Sequence, residues 1–328
     1  MEKIRIGIVG YGNLGRGVEL SLEQNPDMEL VAVFTRREPN TLDLLTKGMQ
    51  AVHLADILDY KEKIDVMILC GGSATDLPLQ SPEIAAHFNI IDSFDTHAKI
   101  PEHYANVDVA AKSGRTLGII SAGWDPGLFS LNRLYAESVL PQGETFTFWG
   151  PGLSQGHSDV IRRVEGVVDG VQYTVPVEDS VNIARAGRGA GLSTRDKHLR
   201  KCYVVAEDGA NQDDIRETIK TMPDYFADYE TTVTFISADE LAADHSKMPH
   251  GGFVIRSGKT GRDINKQVIE YSLVLDSNPD FTASVLVCYA RAAYRLHKDG
   301  QVGARTVFDI APKLLSIKTG EDLRRSML

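Results

Sequence analysis

Cysteine is scarce. The sequence has three, Cys70, Cys202 and Cys288, widely spaced and without a C-x-x-C pair. That excludes a disulfide framework as an organising device and fits a reducing compartment, so a cytoplasmic location is expected. No stretch approaches the roughly 18 consecutive apolar residues of a membrane span. The opening MEKIRIGIVG has no long apolar core and enters a strand pattern at once, so no signal peptide is expected. No H-E-x-x-H and no cluster of Cys and His occurs, and no metal site is expected. The absence of G-x-S-x-G removes the nucleophile elbow. A basic excess is missing too: 35 Lys and Arg face 45 Asp and Glu, a formal charge of −10. That balance disfavours nucleic acid and anionic membrane as partners. Neither an internal repeat nor a low-complexity segment is present. What remains is 328 residues, 42% hydrophobic and 24% charged, enough for about two domains.

In the first third, short apolar runs alternate with longer amphipathic ones. Ile4–Val9, Leu30–Phe34, Val66–Cys70, Ile90–Ile91 and Leu117–Ser121 read as strands, and 13–24 as a helix. Runs this apolar suit parallel strands buried on both faces, with crossover helices between. Residues 1–121 therefore read as a doubly wound α/β domain. After Gly123 the strands lengthen and helices thin out: Phe146–Trp149, Val171–Val175, Cys202–Ala206, Thr231–Ile236, Phe253–Arg256 and Val268–Leu275. Several alternate apolar and polar residues, which suits a mainly antiparallel sheet with one wet face. The Gly-, Arg- and Lys-rich segment 184–200 reads as an exposed loop or short helix. From Asp280 to His297 the pattern is helical again, and about 280–328 is expected to pack on the first domain. The second domain is then 122–279. Residues 39–50 and 257–267 fit no element.

The strongest local motif is Gly10-Tyr11-Gly12-Asn13-Leu14-Gly15, between a strand and a helix. In that context a G-x-G-x-x-G reads as a dinucleotide loop. The first glycine allows the tight turn, the second lets a pyrophosphate approach, and the third packs helix on strand. The helix start offers N–H groups and positive potential to phosphate. The second strand ends in Thr35-Arg36-Arg37, where an NAD enzyme usually places a carboxylate for the ribose 2′-OH. Two guanidiniums and a hydroxyl suit a 2′-phosphate instead, so NADP is the expected cofactor. Glu38 follows and offers Arg37 an alternative partner. Cys70-Gly71-Gly72-Ser73-Ala74-Thr75 ends the next core strand. Its small residues suit passage of the nicotinamide half, and equally a plain glycine-rich loop.

Two polar segments follow further strands: Ile91-Asp92-Ser93-Phe94-Asp95-Thr96-His97 and Ser121-Ala122-Gly123-Trp124-Asp125-Pro126-Gly127. Each sets an Asp just past a carboxyl end of the sheet. Converging there, Asp95 and Asp125 would favour a cationic group such as an ammonium; helix N-capping is the alternative. Trp149-Gly150-Pro151-Gly152-Leu153-Ser154-Gln155-Gly156-His157 suits a backbone-lined wall against a ligand, or a β-turn with a buried Trp. Arg200, beside Lys197, His198 and Lys201, suits a carboxylate, or a solvated face. His250 sits among Pro249, Gly251 and Gly252, where the backbone can be irregular; a structural role is the alternative.

Together IVGYGNLGRG, FTRR, GGSATD, SFDTH, GWDPG, FWGPGLSQGHSD, VQYTVP, TMPDYF, MPHGG and NPDFTAS resemble one family, the meso-diaminopimelate D-dehydrogenases. These segments spread over residues 8–284. The resemblance implies a Rossmann-type dinucleotide domain joined to a mixed or antiparallel α+β substrate and dimerisation domain, in a homodimer. It implies NADP-dependent, reversible oxidative deamination of the D-centre of meso-2,6-diaminopimelate to L-2-amino-6-oxopimelate, ammonium and NADPH. The reverse reaction leads towards lysine and peptidoglycan precursors. By the same resemblance Asp95 and Asp125 face the reacting amine, and Trp124 and Trp149 shape that pocket. Gln155 and Gly156 contact the substrate near the wall, and Thr174, Arg200, His250 and Asn278 hold its distal amino-acid end. Rival readings are a D-amino acid dehydrogenase of relaxed range, a non-catalytic NADP-binding sensor, another two-domain NADP enzyme, and a structural or interaction protein built on a dinucleotide fold.

Overall fold

Contacts within the computed structural model, which describes residues 3–328, divide the chain into two compact units. One is the chain up to Leu131 with Pro279–Leu328; the other is Asn132–Asn278. The first begins β1 (Ile4–Val9), α1 (Asn13–Glu23), β2 (Met28–Thr35), β3 (Val52–His53) and β4 (Val66–Leu69). It continues α2 (Leu77–Ala85), β5 (Asn89–Asp92), α3 (Ile100–Gly114) and β6 (Leu117–Ile119). After α4 (Leu128–Val139) come β7 (Gly143–Trp149), β8 (Gly152–Leu153), α5 (Gln155–Ile161), β9 (Val167–Pro176), α6 (Glu178–Arg185) and α7 (Thr194–Lys197). The second unit goes on with β10 (His198–Ala206), α8 (Gln212–Lys220), β11 (Glu230–Phe235), α9 (Ala238–Asp244), β12 (His250–Thr260) and β13 (Asn265–Leu275). The chain ends with α10 (Asn278–Lys298), β14 (Gly303–Arg305) and α11 (Gly320–Met327).

The first unit is built on a seven-stranded sheet in the order β14-β6-β5-β4-β1-β2-β3, every pair parallel. Its strands alternate between two cores. Ile6, Ile8, Val66 and Ile68 meet Val18 and Leu22 of α1 and Ala283, Leu286, Val287 and Ala290 of α10. Val9, Met67, Leu69 and Ile90 meet Leu77 and Ile84 of α2 and Val107 and Ala111 of α3. Two covered faces explain why these strands read as unbroken apolar runs. Full burial of each such side chain contributes about 1.5–3 kcal/mol, so these layers hold the strand ends in place.

The change of pattern after Gly123 precedes the boundary between the units. Residues 122–131 group with the first because the chain leaving β6 is tied back to it: Ala122 N–H donates to the Asp92 carbonyl at 2.9 Å. Two short strands, β3 and β14, lie at the sheet edges, too brief for a periodic signal.

The second unit has two sheets. One runs β11-β10-β9-β8, with β10–β11 parallel and the other pairs antiparallel; the other runs β13-β12-β7, all antiparallel. Ile161 of α5, Cys202 and Val204 of β10 and Ile215 and Ile219 of α8 form one core. Phe148, Val181, Ala184 and Ile255 form another. Segment 257–267, hard to place from sequence, is the end of β12, the turn after it and the first three residues of β13. The alternation in β13 does not bury one face of it: of its residues only Leu275 is buried, and Val268 and Val274 are exposed. Among the described residues no helix is long and apolar enough to cross a membrane.

Candidate active site

In the first unit β1 stops at Gly10, whose φ is +90° and whose N–H donates to the Phe34 carbonyl at 2.9 Å. A Cβ on Gly15 would lie 2.2 Å from the Gly10 carbonyl oxygen, so α1 can close on β1 only over glycine. At Gly12 a Cβ would meet nothing within 4 Å. No side chain caps α1 there, and no acidic residue lies in its first turn. The positive end of the helix therefore faces open space suited to an anion.

A cavity of about 260 Å³ opens at this end of the sheet. Gly10, Tyr11, Gly12, Thr35, Arg36, Arg37, Cys70, Gly71 and Gly72 all line it. Asn13, Leu14, Gly15 and Thr75 do not; Ser73 and Ala74 line a separate cavity of about 170 Å³. Arg37 donates from Nη2 to the Tyr11 carbonyl at 2.9 Å and from its backbone N–H to Thr35 Oγ1 at 3.0 Å, so the Tyr11 carbonyl, rather than Glu38, holds its guanidinium. The Tyr11 hydroxyl donates to Glu19, which also accepts the N–H groups of Thr46 (2.6 Å) and Leu45 (3.2 Å). Burial, then the Glu19 carboxylate, pushes the Tyr11 phenol up to about 12. For Glu19 burial opposes ionisation, but the hydrogen bonds from Thr46 and Tyr11 outweigh it and hold the carboxyl below its ordinary value.

Two lining residues escaped sequence reasoning. Asp76 accepts the Gly72 N–H at 2.9 Å and pairs with Arg36 at 2.8 Å. Gln80, one helical turn on, lines the same cavity with its Oε1 buried and unpartnered among the described residues. Asp76 closing GGSATD with Gln80 at i+4 was the available signal. A buried acceptor, open space at Gly12 and guanidiniums at the rim fit the phosphates and polar groups of a dinucleotide.

Asp95 and Asp125 stand on the loops after β5 and β6. The Asp95 carboxylate is exposed and caps no helix: the next turn has Thr96 at its N-cap and no side-chain cap bond. Its backbone N–H donates to Ser73 Oγ at 2.8 Å. The loop 121–127 is tighter. Ser121 has φ +54°, a conformation costing about 1–3 kcal/mol, and its buried hydroxyl has no partner among the described residues. Gly127 has φ +132°, and a Cβ there would lie 1.8 Å from the Gly123 carbonyl oxygen. Trp124 is buried, edge-on to Phe129 at 5.2 Å.

In the second unit, site residues stand on or beside strands. The β9–β10 register sets Thr174 opposite Arg200. Arg200 is buried, so the solvated-face reading falls. Its Nη1 donates to Thr174 Oγ1, its Cζ lies 3.9 Å from the Tyr229 ring centroid, and its Nε is buried with no partner among the described residues. Burial lowers its pKa against the pull of Tyr229. His198, also on β10, accepts the Trp149 N–H at Nε2 (2.9 Å) and stacks on the Trp149 ring at 5.3 Å. Burial, then the charges of Arg200 and Lys197, lowers His198 to about 3, which keeps the accepting nitrogen unprotonated. Burial and Arg200 lower His157 to about 4.

Trp149 is 37% exposed, against the buried-turn reading. The run after it is part helix: Gln155 and Gly156 open α5. Gln155 Nε2 donates to Met248 Sδ at 3.1 Å, Leu153 N–H to the Pro249 carbonyl at 2.8 Å, and Asn278 N–H to the Met248 carbonyl at 2.9 Å. A Cβ on Gly152 would strike the His250 ring at 2.5 Å. Gly251 and Gly252 then continue with φ +148° and +153°. These contacts gather Trp149, Gln155, Gly156, Thr174, Arg200, His250 and Asn278 into one neighbourhood of the second unit. His198 and Tyr229 were missed; a single His and Tyr carry no spacing signal.

Residues 123–277 match the family described as diaminopimelic acid dehydrogenase C-terminal domain. The chain is 60% identical over 329 residues to the meso-diaminopimelate D-dehydrogenase of Acetivibrio thermocellus, covering 100% of this chain and 98% of that one. Among solved structures it is similar to the Corynebacterium glutamicum diaminopimelate dehydrogenase in complex with diaminopimelate, with TM-score 0.92, 45% identity and full coverage of both chains. It is also similar to an engineered D-amino acid dehydrogenase bound to NADP+, with TM-score 0.88 and 44% identity over 99% of this chain and 100% of that one.

Proposed function

The chain belongs to the meso-diaminopimelate D-dehydrogenase family, and on that premise we propose that it oxidises the D-centre of meso-2,6-diaminopimelate. The products are L-2-amino-6-oxopimelate, ammonium and NADPH, and the reaction is reversible. The observation that carries this reading is Arg200: a buried guanidinium, bonded to Thr174, with Nε unpartnered among the described residues. A buried cation with donor capacity to spare suits a carboxylate, and a charge-assisted hydrogen bond contributes about 1.5–3 kcal/mol. Thr174, His250 and Asn278 complete the hold on the distal amino-acid end, with Gln155 along the substrate.

Gly156 has open space where a Cβ would be, so its reason lies in a close ligand rather than in packing. Trp124, beside Asp125 in the first unit, and Trp149, in the second, are the aromatic residues assigned to the reacting centre. Hydride leaves Cα only when the nitrogen lone pair is free, so the ammonium first loses a proton. Asp95 or Asp125 accepts it, directly or through water.

NADP, when bound, supplies the hydride acceptor. The turn Gly10-Tyr11-Gly12, with Asn13, Leu14 and Gly15 opening the helix behind it, would hold its pyrophosphate; Thr35, Arg36 and Arg37 would hold its 2′-phosphate, and the segment Cys70–Thr75 its nicotinamide half. The preference for NADP over NAD is supported by the two guanidiniums lining the cavity and by the absence of a carboxylate at the end of β2. A homodimer in the cytoplasm completes the reading. The exposed apolar residues Val268, Ile269 and Val274 on β13 support the association, and the free thiols Cys70, Cys202 and Cys288 support the compartment.

The test is NADPH formation at 340 nm with meso-diaminopimelate, the LL isomer, D-lysine and D-alanine, each with NADP and with NAD. Turnover of the meso compound alone, with NADP, is expected. Turnover of the simple D-amino acids would overturn the distal requirement and leave the reaction class. NADP binding with no turnover would replace the enzyme by a sensor.

A further inference from the structure

The two carboxylates proposed to face the amine stand on separate loops, and loops are the parts of a fold least fixed by packing. One buried side chain ties both of them down. Asp92, the last residue of β5, is 0% exposed. Its Oδ1 accepts the N–H of Phe94 at 3.1 Å, immediately before Asp95, and the N–H of Ser121 at 2.9 Å, at the start of the loop that carries Asp125. Its Oδ2 accepts the Ser81 hydroxyl on α2 at 2.7 Å and lies 2.7 Å from His103 Nε2 on α3. The Asp92 carbonyl accepts the Ala122 N–H at 2.9 Å. The His103 ring in turn stacks on Phe94 at 4.1 Å. Ser121, at φ +54°, has its hydroxyl buried without a partner among the described residues, and the Asp92 carboxylate takes its N–H.

We infer that Asp92 is a positioning residue for the reaction, a carboxylate that sets the Asp95 and Asp125 loops together while touching neither substrate nor cofactor. Two backbone N–H groups meet its Oδ1, and the Ser81 hydroxyl and His103 Nε2 meet its Oδ2; an amide in its place would put a donor against Ser81 and His103 and force both to turn into acceptors. The backbone half aims the loops, and the Ser81 and His103 half anchors the carboxylate to two helices of the same unit. Bonds to an ionised acceptor are roughly twice as strong as neutral ones. Asp92→Asn therefore keeps the shape and weakens the grip.

This inference rests on the assignment of Asp95 and Asp125, and the experiment separates the two. kcat, KM for meso-diaminopimelate and the Kd of NADPH by fluorescence are measured for Asp92→Asn, for Asp95→Asn/Asp125→Asn, and for the triple variant. The expected result is a kcat about tenfold lower for Asp92→Asn with the NADPH Kd within about twofold. In the background lacking both carboxylates the same substitution is expected to cost less than about twofold, since it acts through groups already removed. A tenfold cost persisting in that background, an unchanged kcat for Asp92→Asn, or a parallel loss of NADPH affinity would overturn the positioning role. If Asp95→Asn/Asp125→Asn leaves kcat unchanged, the assignment of the two carboxylates is what fails. Should Asp92→Asn not fold, Ser81→Ala removes the hydroxyl bonded to Oδ2; about threefold is expected, vanishing in the same background, and no loss of kcat overturns the inference.

Discussion

The two units build their polar sites by different means. In the first, the candidate groups stand on loops past the ends of strands whose side chains are buried on both faces. The strands supply rigidity, and buried polar contacts such as Asp92 on Phe94 and Ser121 aim the loops. In the second, the strands themselves carry site residues: antiparallel register sets Thr174 against Arg200, and Trp149 and His250 lie at the ends of β7 and β12. There the same side chains hold the sheet and, in the proposed reading, the substrate. Substitutions in the first unit should thus separate cofactor from substrate effects, whereas those in the second should mix substrate effects with stability.

The largest expected effect tests the strand-borne site. Arg200→Met should lower kcat/KM for meso-diaminopimelate about 10²–10³-fold, the loss of roughly two charge-assisted bonds. The NADPH Kd should stay within about twofold by fluorescence titration. Equal loss of both would abolish the contrast between the units. A smaller effect belongs to the loop-borne site: Arg37→Ala should reduce the preference for NADP over NAD about 10–100-fold, read as the ratio of kcat/KM values, with the melting temperature little changed.

The third prediction concerns acid stability. His198 titrates near 3 and His157 near 4 in the fold, both below their ordinary value, so the unfolded chain binds more protons as pH falls. Their neutral forms cost nothing above about pH 6.5, and stability is lost as pH drops from there towards 4, by up to about 1.4 kcal/mol per pH unit for each. Urea midpoints between pH 7 and 5 should fall more steeply for the wild type than for His198→Asn. Identical slopes would mean that His198 is not held neutral. The smallest effect is expected at Gly156→Ala. Its Cβ meets nothing within 4 Å, so the melting temperature should hold or rise slightly while KM for the substrate rises a few-fold. An unchanged KM would remove the ligand from that position.

The site was legible in the sequence to different depths. The turn at Gly10 and the packing at Gly15 follow from local backbone sterics, so motif and structure coincide there. Arg36 and Arg37 were readable because they end a strand. Asp76 and Gln80 were missed although their spacing puts them on one helix face. The cationic run left Arg200 between a carboxylate partner and a solvated face, and the alternation of a strand decides it: His198 and Arg200 are buried while Lys201 is exposed. β10 starts at His198 rather than Cys202, which puts Arg200 on the strand instead of in the loop before it.

By itself the sequence determined the two-layered pattern of the first unit, the dinucleotide loop and the family, since each depends on residues adjacent in the chain or on periodicity. Tertiary structure alone decided that Thr174 meets Arg200 and that His198 accepts from Trp149, because strand register joins positions far apart in the chain. It also decided that Asp92 bonds both carboxylate loops. A parallel sheet brings successive strand ends side by side, and no local pattern records which buried oxygen their N–H groups will find.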